Sequence, residues 1–105
     1  MAEDLHPNAD PRYLALLDGM RQLHIDKAAG YGKPADTWAN FHEAEGWGVS
    51  ALDGCLVRMG DKYRRCQNLR RSPDADRVGE SLRDTPMDLA AYALISIRLL
   101  EGESS

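Results

Sequence analysis

Apolar and aromatic residues recur at three- and four-residue spacing along most of this chain, which is the period of an α-helix. From Pro11 to Ala28, Tyr13, Leu16, Leu17, Met20 and Leu23 share one side of a helix, and Asp10-Pro11 offers an N-cap with proline in the first turn. Gly30-Tyr31-Gly32-Lys33-Pro34 ends that run. The segment that follows, to Gly48, holds Trp38, Asn40, Phe41 and Trp47 and reads as a structured aromatic connection. Ser50 and Asp53 form a capping box with the shorter acid. Behind it Leu52, Cys55, Leu56, Met59, Tyr63, Cys66 and Leu69 predict a second helix over about Ala51 to Leu69. Ser72-Pro73-Asp74 breaks the pattern, and a third helical region is expected from about Arg77 to Glu101.

Between Leu89 and Leu100 the third region is apolar nearly all round, so one face has to meet the other helices while another seeks a partner. The expectation is an all-α bundle of three main helices, completed by homo-oligomerisation. No strand alternation, internal repeat or low-complexity run is present, and 105 residues suit one domain over 1–105, with residues 1–10 and 102–105 as loose ends. No apolar run is long enough to cross a bilayer, and the first residues lack the layout of a secretion signal, so a cytoplasmic protein is expected. Cys55 and Cys66 lie 11 residues apart on one expected helix, too far to bridge, and no zinc spacing occurs.

Charge changes the picture locally. The chain carries 13 basic and 17 acidic residues, a net charge of −4. Against that background Arg58, Lys62, Arg64, Arg65, Arg70 and Arg71 are opposed by Asp61 alone within 58–71. Such a cluster suits either a phosphate-bearing small molecule or a solvated helix face paired with acidic neighbours. Sequence-specific DNA binding is not expected, because the chain is acidic and has no reading motif.

Glu80, Asp84 and Asp88 are spaced i, i+4, i+8 and would line one stripe of a continuous helix. Crowded carboxylates repel, and a divalent cation with oxygen ligands relieves them; Mg²⁺ suits carboxylates completed by water and phosphate oxygens. The competing reading makes Thr85 a helix cap, Pro86 the first helical residue and Asp88 a structural acid, since proline inside an unbroken helix costs about 3 kcal/mol. Asp61 lies opposite the Leu52 stripe between Arg58 and Arg65, as in an ordinary ion-pair ladder or beside a phosphate clamp. His24 reads as a packed histidine on the apolar side of the first helix.

The pattern Lys27…Tyr31-Gly32…Asp36…Asn40-Phe41, then Arg58-x-x-Asp61-Lys62-x-x-Arg65, then Glu80-Ser81-Leu82-x-Asp84-Thr85-x-x-Asp88-Leu89-Ala90-x-Tyr92-Ala93 resembles a phage-encoded family. That family is the nucleotide-modification-associated domain, itself similar to MazG-like all-α nucleoside triphosphate pyrophosphohydrolases. The resemblance implies a helical bundle that cleaves an NTP or dNTP to the monophosphate and pyrophosphate, in the host cytoplasm during phage infection. It implies Mg²⁺, with Mn²⁺ as a substitute, held by Asp61, Glu80, Asp84 and Asp88 as the catalytic acids. Arg58, Lys62, Arg65 and Lys33 would offset phosphate charge, and Tyr31, Trp38 or Phe41 would stack on the base, unless those rings are loop anchors. The chain departs from MazG-like enzymes in lacking an E-x-x-E motif on the helix before the acidic block, and in Pro86. Two other readings stay open: a nucleotide-binding protein that sequesters its ligand without cleavage, and an oligomeric protein–protein adaptor.

Overall fold

The computed structural model describes the backbone of residues 5–31, 37–72 and 82–104, and the side chains among them except at 30, 31, 103 and 104. These residues form helices and turns with no strand. Helix α1 spans Pro11–Tyr31, α2 Ala39–His42, a 3₁₀ turn Glu43–Trp47, α3 Ala51–Arg71 and α4 Asp84–Ser104. The element that the sequence pattern does not anticipate is α2, which folds the aromatic connection back onto α3.

The local signals act where they stand in the sequence. Asp10 accepts a hydrogen bond from the Arg12 amide at 2.9 Å and opens α1, which runs three residues past the expected Ala28. Ser50, in an extended conformation, accepts from the Asp53 amide at 3.0 Å and starts α3 at Ala51 as expected. Gly48, at φ 78°, ends the 3₁₀ turn in the left-handed region that a side chain disfavours.

The third helical region is broken by a turn near its described start, and the expected residues 77–81 lie outside the described residues. Leu82 and Arg83 form a turn, α4 begins at Asp84, and Pro86 falls in the first turn, where its missing N–H costs nothing. The helix also runs to Ser104, through most of the tail expected to be loose.

The core sits where α2, α3 and α4 meet. Phe41, Ala51, Cys55 and Leu99 are buried, with Trp38, Leu52, Tyr92 and Ile95 packed against them. Helix α3 lies along α4, and the connection closes one end of the pair. In contrast, none of the described side chains of α1 is buried. It meets the rest of the chain through His24, whose ring stacks on Trp38 at 5.4 Å between centroids. His24 is therefore an exposed stacking residue and not the packed interior histidine expected.

Candidate functional site: a cationic aromatic cleft beside α1

Because α1 stands off from α3 and α4, a cleft of about 650 Å³ opens between them, a size suited to a small organic ligand. Its floor is a relay of rings. Trp38 stacks against His24 with an interplanar angle of 27° and meets Phe41 edge-on at 6.4 Å; Phe41 in turn meets Tyr92 edge-on at 6.0 Å. The Arg58 guanidinium carbon lies 5.5 Å from the Phe41 centroid, close enough for a cation–π contact. Edge-to-face geometry places the positive ring edge against the negative face, so the relay is held electrostatically as well as by burial.

Among the described residues, four cations line the cleft, Arg21 and Lys27 from α1, Arg58 from α3 and Arg98 from α4, against one carboxylate, Asp88. The four cations and one acid make a net +3 in a chain whose total is −4. Arg98 shares its charge with Glu101 at 2.8 Å. Of the basic cluster between Arg58 and Arg71, Arg58 is the member that lines this cleft; the other cations arrive from helices distant in sequence.

Asp88 reaches the cleft from the second turn of α4 and lies 3.4 Å from Lys62 Nζ. Both side chains are about one-third exposed or less, so the pair ties α3 to α4 at the cleft wall. Asp84 is one turn earlier on the same helix, exposed in the first turn, where its charge complements the helix dipole. Asp61 opens onto a second hollow of about 720 Å³, lined also by Trp47, Val57, Arg58, Lys62 and Tyr92, and pairs with Arg64 at 3.7 Å. Arg65 is half-buried on α3. Glu80 and Lys33 lie outside the described residues, as does the side chain of Tyr31.

Among the described residues, no three His, Cys, Asp or Glu side chains gather as a metal ion would need. The turn at Leu82 and Arg83 interrupts the continuous helix on which Glu80 would align with Asp84 and Asp88.

Phe41 is 5% exposed, and a ring so enclosed anchors its connection to the core. Trp38, half-buried above it, is the expected stacking residue that stands in the cleft wall. Tyr92, His24 and Lys27 line the cleft without having been assigned to it from sequence. Tyr92 was within reach, since it follows Asp88 by four residues and so shares its face of α4.

Tyr92 is also fixed from behind. The Cys55 thiol, fully buried on α3, donates to the Tyr92 carbonyl at 3.3 Å. Burial pushes the Cys55 thiol above the ordinary range, and the Arg58 guanidinium partly offsets that rise. Comparison with known proteins finds no matching family model, no matching curated protein and no matching solved structure.

Proposed function

We propose that this chain binds a nucleotide in the cleft between α1 and the α3–α4 pair. The supporting observation is the convergence there of Arg21, Lys27, Arg58 and Arg98 with the stacked rings of His24 and Trp38, in a protein otherwise acidic. The base lies against Trp38, and the phosphates lie toward Arg58 and Lys27, because guanidinium and ammonium groups compensate phosphate charge while an indole face accepts any base. The protein works in the cytoplasm, as a homo-oligomer.

The reaction this binding serves is the one the family resemblance implies, Mg²⁺-dependent cleavage of a nucleoside triphosphate to monophosphate and pyrophosphate. Asp88, which lines the cleft, and Asp84, one turn earlier on α4, are the described acids assigned to it, together with Glu80 and Asp61. A second reading, binding without cleavage, draws support from the Lys62 ammonium beside Asp88, which satisfies that carboxylate without a metal.

A panel of NTPs and dNTPs incubated with Mg²⁺, read by pyrophosphate release and by calorimetry, separates the two. Turnover lost in Asp84→Asn, with the helical circular dichroism intact, supports the hydrolase. Saturable binding with the nucleotide recovered whole supports the binder. Failure of every nucleotide to bind removes both.

A further inference from the structure

We infer that the hollow beside Trp47 is a second nucleobase site, so that the preferred ligand carries two bases joined through a phosphate chain that crosses Arg58. This second site rests on the nucleotide reading of the first cleft and names the ligand class for it. The second hollow, of about 720 Å³, is lined by the 3₁₀ turn, by α3 and by Tyr92 of α4. Arg58 and Tyr92 also line the first cleft, so the two spaces adjoin across the same two side chains. Lys62 of the second hollow meets Asp88 of the first at 3.4 Å, which makes a further point of contact along that boundary.

Each space holds an indole. Trp38 stands in the wall of the first, and Trp47, 89% exposed, stands at the second. An indole so exposed leaves a large apolar face in water, and a planar ligand ring covers it. The backbone beneath Trp47 is fixed: the Gly48 amide donates to the Glu45 carbonyl at 3.0 Å and the Val49 amide to the Ala44 carbonyl at 3.2 Å. A platform held in place before binding loses less freedom when a ring stacks on it.

Charge selects what joins the two rings. The Arg58 guanidinium lies over Phe41 at the boundary, is exposed, and forms no hydrogen bond among the described residues, so its donors can meet phosphate oxygens from either side. Lys62 adds a second cation, while Asp61, the carboxylate of the second hollow, shares its charge with Arg64 at 3.7 Å. A nucleotide with one base occupies Trp38 and Arg58 and leaves Trp47 in water. A second base at the far end of the phosphate chain reaches Trp47 as an intramolecular step, which adds affinity without a second association.

The test is calorimetry of the full chain, with and without Mg²⁺, using adenosine and guanosine tetraphosphates beside diadenosine and diguanosine tetraphosphates. Each pair shares the phosphate chain and differs in the second nucleoside. The two-base ligand should bind about tenfold tighter or more, the effect of one added base–aromatic stack. Trp47→Leu should erase that advantage and leave the one-base affinity unchanged. Trp38→Phe keeps a ring in the first cleft and makes Trp47 the only indole, so the two-base ligand should quench its fluorescence and the one-base ligand should not. Equal affinity for both kinds of ligand, or an advantage that survives Trp47→Leu, overturns the second site and leaves the first standing. If neither kind binds, the nucleotide reading fails and the second site with it. Should Trp47→Leu lose its helical circular dichroism, the Trp38→Phe fluorescence decides: quenching by the two-base ligand alone supports the second site, and any other pattern overturns it.

Discussion

Lys62 on α3 reaches Asp88 on α4 with Nζ 3.4 Å from Oδ2, at the point where a carboxylate expected to serve a metal enters the cleft. The ammonium and a divalent cation compete for the same oxygens, and that competition is measurable. Lys62→Met should lower stability by no more than about 1 kcal/mol, since the pair is partly solvated. If Asp88 serves Mg²⁺, the variant's melting temperature rises more on adding Mg²⁺ than the wild type's, and Asp88→Asn abolishes the rise. Identical behaviour in all three chains removes Asp88 from the metal reading.

Trp38 and Trp47 give the base-binding proposal an optical readout. Trp47 is 89% exposed and away from the cleft, so Trp47→Phe leaves Trp38 as the only indole without disturbing the ring relay. Nucleotide should then quench the remaining fluorescence saturably. Replacing the stacking ring, Trp38→Leu, should weaken binding about tenfold, as loss of one base–aromatic stack does. Unchanged fluorescence at a nucleotide concentration that saturates calorimetry would move the base elsewhere.

Cys55 and Cys66 should differ sharply toward a thiol reagent. Cys55 is fully buried, donates to the Tyr92 carbonyl and is raised by desolvation, so it resists modification in the native state, while the half-buried Cys66 reacts first. The sign of the pH effect follows. A thiol whose folded pKa lies above its unfolded value contributes its full stability below the unfolded value, about 8.5, and loses it as pH rises toward the folded one. Denaturant midpoints measured from neutral to alkaline pH should fall in the wild type and fall less in Cys55→Ser.

Ser50→Ala removes the oxygen that receives the Asp53 amide at the head of α3. The expected cost is about 1 kcal/mol, or roughly 4–8 °C in melting temperature for a chain of this size. Ser50→Gly should cost only a few tenths, because glycine tolerates the N-cap position. Equal losses in both variants would mean that the hydroxyl contributes little.

Much of the secondary structure is readable without coordinates because its causes are local. Asp10-Pro11 and the Ser50–Asp53 cap act within one turn, and apolar spacing needs only the helical period to be interpreted. The same locality leaves two readings open at the last helix. The i, i+4, i+8 acids and the Thr85-Pro86 signal give conflicting starts, and the backbone resolves them with a turn at Leu82 and Arg83. Periodicity alone has no means of ranking a stripe against a proline.

The cleft is legible only in fragments. Lys27, Arg58 and Asp88 carry visible motif signals and Trp38 reads as a candidate stacking ring, whereas Arg21 and Arg98 look like ordinary surface charges until three helices bring them to one hollow. Likewise Phe41 and Trp38 are equivalent loop aromatics in sequence, and only packing makes one a core anchor and the other a cleft wall.

Sequence by itself determined where α1 and α3 begin, which stripes are apolar and where basic residues cluster along the chain, since caps, period and composition act over a few residues. Which acid meets Lys62, which ring stays accessible and which cations share a cavity depend on the approach of segments tens of residues apart. That approach is decided by burial summed over the whole chain, and tertiary structure alone reports its outcome.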